Sequence, residues 1–341
     1  MSLAELEGRL LEILAGGVGK PLSDRAFQEL ALGVFRHQCR WNPAYGAFVA
    51  RRGTEVEAVS RWEEIPFLPA RAFKTARLVT GETPLIEAVF RTSGTTGGPG
   101  GRGEHHVADL DLYRKSLLPN FEAHLLSDLQ GRVRILCLMP DPGPVPESSL
   151  GFMMAEVVRA RGDGESGFFA DAEGRIDEER LGPALLAAEA MDTPVLLAGT
   201  ALGWAAWLGT LRDRVVPMPS GSRIMETGGY KGRRHTMSRG ELYDGLTRAL
   251  GVPESHIVSE YGMTELLSQF YDWAVPGGTR DRGGSGAPPL RERFYRGPPW
   301  VRTLVLDPLT LRLLGPGEVG VLAHLDLANL HSVAPVLTED L

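Results

Sequence analysis

Apolar residues recur every three or four positions over residues 3–15 and 22–40, which predicts two amphipathic helices, the second capped at Ser23-Asp24. Ile65-Pro66-Phe67-Leu68-Pro69 breaks helix and reads as an extended linker. The apolar run Leu85–Thr92 reads as a strand, Asp109–Leu126 as a helix capped near Asp109, and Val133–Met139 as a buried strand ended by Pro140. Helix and strand then alternate. Helices are expected at Ser149–Arg161, Glu178–Met191 and Ala201–Arg212, and strands at Gly167–Ala170, Val195–Ala198 and Arg223–Glu226. Ser238-Arg239-Gly240-Glu241 forms a capping box that opens a helix to Leu250, and His256–Glu260 is strand again. Such alternation implies βαβ units and a mainly parallel sheet, so the expected fold class is α/β. After residue 275 Gly and Pro crowd together. The runs Val301–Leu306, Thr310–Leu313 and Val319–Leu325 then predict a small antiparallel β-subdomain. Three parts are expected: an N-terminal helical segment at 1–64, an α/β core at 65–275, and a mobile loop with the β-subdomain at 276–341.

Composition narrows the class. The 341 residues are 43% hydrophobic, enough for a large core, and the formal net charge of -7 argues against a dedicated nucleic-acid binder. The two cysteines, Cys39 and Cys137, imply no disulfide framework. The N-terminal helix carries Glu5, Glu7 and Glu12 and is no signal peptide, and no run of 18 apolar residues predicts a membrane span. A cytoplasmic protein is the expectation. Lysine occurs only at Lys20, Lys74, Lys115 and Lys231.

The richest chemistry lies at Thr92-Ser93-Gly94-Thr95-Thr96-Gly97, directly after the strand. Glycines let the backbone turn sharply, successive N–H groups make a concave anion site, and the hydroxyls add donors. A polyphosphate fits that pattern; a plain surface turn is the competing reading. Three more segments follow strands. Tyr261-Gly262-Met263-Thr264-Glu265 offers an aromatic ring for a base and a carboxylate of the kind magnesium takes beside phosphates. Gly228-Gly229 lets backbone touch a flat ligand, and Lys231 follows. Asp340 is an acceptor suited to ribose hydroxyls.

In this order the four segments resemble the adenylate-forming superfamily of acyl-CoA synthetases, luciferases and peptide-synthetase adenylation domains. Glu226–Arg233, Glu260–Asp272 and Gly317–Asp340 look like the acyl-protein synthetases, the fatty-acid–protein ligases of bacterial bioluminescence and their relatives. The similarity runs from about Ile65 to the end. It implies a large N-terminal adenylating domain with mainly parallel sheets, and ATP and Mg2+ as cofactors. Thr92–Gly97 would hold the β and γ phosphates, Glu265 the metal, and Thr264 the α-phosphate region. Tyr261, Gly262, Gly228 and Gly229 would line adenine, and Asp340 would bind ribose. It also implies a carboxylic acid substrate, fatty acid foremost, and a thiol-bearing acceptor, either a reductase or carrier protein or CoA. An aryl or short-chain acid ligase and a nucleotide-binding protein without catalysis are the alternatives.

The chain departs from the superfamily in places. Gly100 stands where many phosphate loops have lysine, so Arg102 is a candidate for that charge, although a planar fork differs from a point charge. The usual mobile C-terminal lysine domain is expected to be absent, so either Lys231 or an arginine is the candidate to replace its catalytic lysine, unless adenylation is slow. Neither cysteine matches an acyl-accepting position. His105 and His106 are adjacent and point apart, so at most one reaches a ligand. Gly199–Leu208 and Phe152-Met153-Met154 can line an acyl pocket or simply pack on the sheet.

Overall fold

Residues 1–82, 84–92, 101–212, 214–228, 237–275 and 288–341 are described in the computed structural model. The chain begins with three helices, α1 (Leu3–Ala15), α2 (Asp24–Trp41) and α3 (Pro43–Arg51). Ser2 closes a capping box on α1, and Ser23 caps α2 through the Ala26 N–H. The third helix is absent from the sequence expectations, although Asn42 caps it and Pro43 occupies its first turn. A two-residue strand β1 (Leu68–Pro69) precedes the hairpin β2 (Ala88–Arg91) and β3 (Glu104–Val107). Next come α4 (Leu110–Phe121), β4 (Arg134–Pro140), α5 (Ser149–Arg161), β5 (Gly167–Ala170), α6 (Glu178–Ala190), β6 (Val195–Thr200), α7 (Ala201–Leu211), β7 (Arg223–Thr227), α8 (Arg239–Leu250), β8 (Ile257–Tyr261) and β9 (Phe270–Tyr271). The chain closes with β10 (Val301–Leu306), β11 (Val321–Asp326) and β12 (Pro335–Leu337).

The main sheet runs β5-β4-β6-β7-β8-β9, parallel except for the last pair. Its central strands β4 and β6 carry unbroken apolar runs, Ile135–Met139 and Val195–Ala198, as suits strands covered on both faces. Successive residues therefore serve different cores. Ile135, Cys137, Leu196 and Ala198 point into the larger core shared with α4, α5 and the N-terminal helices. Leu136, Leu138, Val195 and Leu197 point into a second core with Leu181 and Leu185 of α6, Trp204 and Trp207 of α7, and Leu242 and Leu246 of α8. Among the described residues no helix is long and apolar enough to cross a membrane.

The C-terminal strands form a sheet ordered β1-β12-β11-β10. It is antiparallel as expected for β10, β11 and β12, but β1 adds a parallel edge, with Leu68 opposite Val336. The expected strand at Thr310–Leu313 reduces to one bridge between Leu306 and Leu313. Asp307 caps a tight turn there, and Leu311 takes φ +55°, a left-handed value that no strand tolerates. Of the expected mobile loop, 276–287 lie outside the described residues. The part that follows packs on the sheet: Arg293 donates to the Ile257 carbonyl at 2.8 Å and to the Glu254 carbonyl at 2.9 Å.

Between the sheets runs a buried stretch, Glu265–Gln269, with no helix or strand of its own. Side chains from distant elements satisfy its polar groups. The Asn329 amide donates to the Glu265 carbonyl at 2.8 Å, and the Asn120 amide to the Gln269 carbonyl at 2.7 Å. Asp326 accepts from the Leu267 N–H at 2.9 Å, the Ser268 hydroxyl at 2.8 Å and the Ala328 N–H at 3.0 Å. The Trp300 indole N–H reaches both Ser116 and Ser268. Asp326→Asn replaces an oxygen acceptor by a donor facing donors. It is expected to cost about 1–3 kcal/mol, read by urea unfolding at pH 8; an unchanged midpoint would contradict the role assigned to Asp326.

Candidate active site

The C-terminal ends of β7 and β8 lie side by side, with Thr227 opposite Glu260. The residues that follow, Gly228 and Tyr261, are therefore neighbours at the carboxyl end of the sheet. Gly228 has φ +74°, so the turn after β7 uses the freedom that glycine alone supplies cheaply. Glu260 is fully buried beneath Tyr261 and accepts from the Thr227 hydroxyl. Burial pushes its carboxyl up to about 7, against the lowering effect of that hydrogen bond. A Cβ added at Gly262 would meet the Glu260 carboxyl, which would have to shift from its place to make room.

Tyr261 and Asp340, 79 residues apart in sequence, meet directly: the phenol donates to Asp340 at 3.0 Å. The Tyr261 oxygen lies 3.4 Å from His324 Nε2, and His324 Nδ1 lies 2.8 Å from the Thr303 hydroxyl. With its proton committed to Asp340, the phenol accepts from His324, which fixes the Nε2–H tautomer and leaves Nδ1 to accept from Thr303. Burial lowers His324 to about 4, consistent with this neutral ring. Phe270 and Tyr295 flank Tyr261, with ring centroids 5.7 Å and 5.8 Å away. The aromatic ring and the acidic group expected at adenine and ribose thus share one hydrogen-bonded corner.

Thr264 and Glu265 follow at the same edge, and Glu265 is buried, 7% exposed. The Thr264 carbonyl accepts from His105 Nδ1 at 2.7 Å. His105 lies on β3, whose hairpin with β2 brackets the Thr/Gly loop. One hydrogen bond therefore ties the base of that loop to the Thr264-Glu265 segment. Ser93, Gly94, Thr95, Thr96 and Gly97 lie outside the described residues, as do Gly229 and Lys231. Thr92 is described: its N–H donates to the Gly103 carbonyl at 3.0 Å and its hydroxyl accepts from the Gly103 N–H at 2.8 Å. Arg102 turns back on the hairpin, donating to the Thr92 carbonyl at 2.7 Å, the Arg91 carbonyl at 3.3 Å and Glu147 at 3.4 Å.

The two adjacent histidines do point apart. His105 is fully buried, edge-on to Phe73 at 5.4 Å, while His106 faces Glu104 at 3.7 Å. The sequence places both beside the site but gives no hint that the His105 partner is a backbone carbonyl 159 residues away. The apolar candidates for an acyl pocket are core residues here. Trp204 is buried with its indole N–H on the Met225 carbonyl at 3.2 Å, and Phe152 stacks on Tyr113 at 5.3 Å. Neither cysteine is poised as a nucleophile. Burial pushes the Cys39 thiol up to about 12 and the Cys137 thiol higher still.

His105 makes the hairpin tie testable. Burial depresses its pKa to about 4 from 6.5, more than the Thr264 hydrogen bond raises it. The neutral ring therefore contributes stability that is complete above about 6.5 and lost as pH falls toward 4. His105→Phe leaves the Thr264 carbonyl without its donor, an expected loss of about 1–3 kcal/mol at pH 8. The gap to wild type should then narrow by at most about 3 kcal/mol between pH 7 and pH 4. Urea titrations across that range check this, and a gap independent of pH would contradict it.

A family model for acyl-protein synthetases (LuxE) matches residues 22–341. The long-chain-fatty-acid–luciferin-component ligase of Aliivibrio fischeri is 23% identical over 288 residues, covering 82% of this chain and 69% of that protein. The crystal structure of 2-hydroxyisobutyryl-CoA ligase with R3-HIB-AMP, in the postadenylation state, superposes with a TM-score of 0.59. It is 13% identical, with 92% of this chain and 61% of that chain covered. ATP-bound MatB from Rhodopseudomonas palustris is a weaker likeness, with a TM-score of 0.47 and 18% identity over 73% of this chain and 41% of that one. This chain thus spans only part of the length of the solved structures it resembles. The mixed sheet architecture is that of the adenylate-forming fold, and the chain belongs to the acyl-protein synthetase family.

Proposed function

We propose that this chain uses ATP to activate a fatty acid and passes the acyl group to a thiol on an acceptor protein. A carboxylate oxygen attacks the α-phosphorus, the bond between the α-phosphorus and the bridging oxygen to the β-phosphate breaks, and pyrophosphate leaves. The acceptor thiolate then attacks the acyl carbonyl, and AMP leaves with the bonding electron pair. The single observation that carries the reading is the corner at the end of β8. There Tyr261 is bonded to Asp340, and Thr264-Glu265 is tied through His105 to the hairpin that brackets the Thr/Gly loop. The Aliivibrio fischeri relative, a long-chain-fatty-acid–luciferin-component ligase, supports fatty acid as the substrate class, and the acyl-protein synthetase family supports a protein as acceptor.

The first step brings two anions together, so positioning and charge relief supply most of the catalysis. Tyr261 and Gly228 take the adenine side, Asp340 the ribose hydroxyls, and Thr264 the α-phosphate. Thr92 stands at the mouth of the loop whose residues 93–97 take the β and γ phosphates. Glu265 would hold the metal. Among the described residues no group of three His, Cys, Asp or Glu side chains forms a ready metal cage. A single carboxylate suits Mg2+, which binds through one or two carboxylates and otherwise through phosphates and water. When bound, Mg2+ supplies charge neutralisation at the phosphate oxygens. The raised thiols of Cys39 and Cys137 favour an acceptor thiol outside these two residues.

Pyrophosphate release measured with saturated fatty acids of increasing length, aryl acids and short-chain acids tests the reading. Fatty acids are expected to drive turnover; ATP binding without turnover on any acid would contradict it. Glu265→Gln should slow release roughly a hundredfold at saturating ATP while ATP affinity changes much less. Equal rates for wild type and variant would remove the metal role.

A further inference from the structure

The hydrogen bond between Tyr261 and Asp340 is the end of a longer row. His324 on β11 stands opposite Thr303 on β10, and the Thr303 hydroxyl lies 2.8 Å from His324 Nδ1. The ring is buried and wedged against Phe270, with centroids 4.8 Å apart. Its other nitrogen, Nε2, reaches the Tyr261 oxygen at 3.4 Å, and that phenol donates to Asp340 Oδ2 at 3.0 Å. The row therefore runs from Thr303 at the surface, through His324, to Tyr261 and Asp340.

A neutral imidazole has one N–H, so the nitrogen that carries it sets the direction of every bond in the row. With the proton on Nε2, the ring donates to the phenol oxygen, and the phenol's own proton goes to Asp340. With the proton on Nδ1, Nε2 becomes an acceptor and competes with Asp340 for that proton. The Thr303 hydroxyl gives Nδ1 a donor to accept from and so favours the first arrangement.

Asp340 is fixed by this row and by its own backbone. Its N–H donates to Thr338 Oγ1 at 3.1 Å, and its carbonyl accepts from the Leu322 N–H at 3.1 Å. Among the described residues Oδ1 takes no hydrogen bond, and the residue is half-buried. One carboxylate oxygen is thus occupied and the other stands open to a ligand's hydroxyl groups.

We propose that Thr303 and His324 are positioning residues for the nucleotide's ribose. They keep the Tyr261 proton on Asp340 and so hold that carboxylate with one oxygen open to the ribose hydroxyls. The inference rests on the nucleotide reading above and assigns neither residue a contact with the nucleotide.

Titration calorimetry of ATP and of 2′,3′-dideoxy-ATP, which lacks both hydroxyls, tests this with wild type, Thr303→Val, His324→Phe and His324→Gln. Wild type is expected to prefer ATP roughly tenfold or more, because a site built to bond a hydroxyl rejects the analogue without it. Thr303→Val and His324→Phe should narrow that preference through weaker ATP binding, with dideoxy-ATP unchanged. His324→Gln, whose side-chain N–H can stand in for Nε2–H, should keep most of it. Thr303 is exposed, so Thr303→Val stays informative even if a change at buried His324 unfolds the protein. Nitrogen NMR of the His324 ring should show the Nε2–H tautomer in wild type; the Nδ1–H tautomer would overturn the proposal. An equal loss of both nucleotides in Thr303→Val would mark a merely structural role, and an unchanged preference would remove the role of Thr303; either overturns the proposal while the nucleotide reading stands. Wild type that binds both nucleotides equally would overturn the ribose role of Asp340 and this proposal with it. Wild type that binds no ATP would overturn the nucleotide reading itself.

Discussion

A stretch of irregular backbone, Thr264–Gln269, buried from Glu265 onward, governs how the rest of this molecule is put together. Backbone groups hidden from water must be paired, and neither helix nor sheet does it here. The partners are side chains drawn from across the chain: His105 from the hairpin, Asn120 from α4, Asp326 at the end of β11, and Asn329 just after it. Gln38 of α2 in turn donates to the Asn329 and Leu330 carbonyls at 2.8 and 3.1 Å. The segment can adopt its shape only when the N-terminal helices, the hairpin and the C-terminal sheet are all in place. Folding and formation of the site are for this reason one event. The carboxylate of Glu265 and the hydroxyl of Thr264 inherit their positions from a network fixed on several sides.

Such a network needs particular protonation states. His105 and His324 are neutral because burial costs more than charge would return, with values near 4. Asp326 is pushed up to about 6 and Glu260 to about 7 for the same reason, although both accept hydrogen bonds. The linkages run in opposite directions. The histidines favour the fold as pH rises from 4 to 6.5, whereas the unfolded chain ionises Asp326 and Glu260 more readily over the same range. These four buried groups therefore pull the pH dependence of stability in opposite directions.

Much of the architecture is legible in the sequence, and for identifiable reasons. The parallel core reads out because its strands are continuous apolar runs between amphipathic helices. The helix starts read out because Ser23, Asp109 and Ser238 are caps. Tyr261, Thr264, Glu265 and Asp340 stand out in the sequence as candidate site residues, but the hydrogen bond between Tyr261 and Asp340 has no signal there. What escaped the sequence are long-range pairings with no local signature. Glu104–Val107 is a polar strand whose alternation, His105 in and His106 out, is too short to see. Leu68–Pro69 becomes a strand only because Val336 and Leu337 lie beside it. Asn120, Asp326 and Asn329 look like ordinary surface polars until the buried backbone they satisfy is in view.

Amide hydrogen exchange at Leu267 tests this dependence most directly. Its N–H sits in a segment without regular structure, yet it is buried and bonded to Asp326. If side chains from distant elements lock the segment, this amide should exchange as slowly as those of Leu196 and Leu197 in the central strand β6, through global unfolding alone. Exchange at the faster rate of a locally opening loop, with β6 still protected, would show that the segment moves independently and that the network does not hold the site.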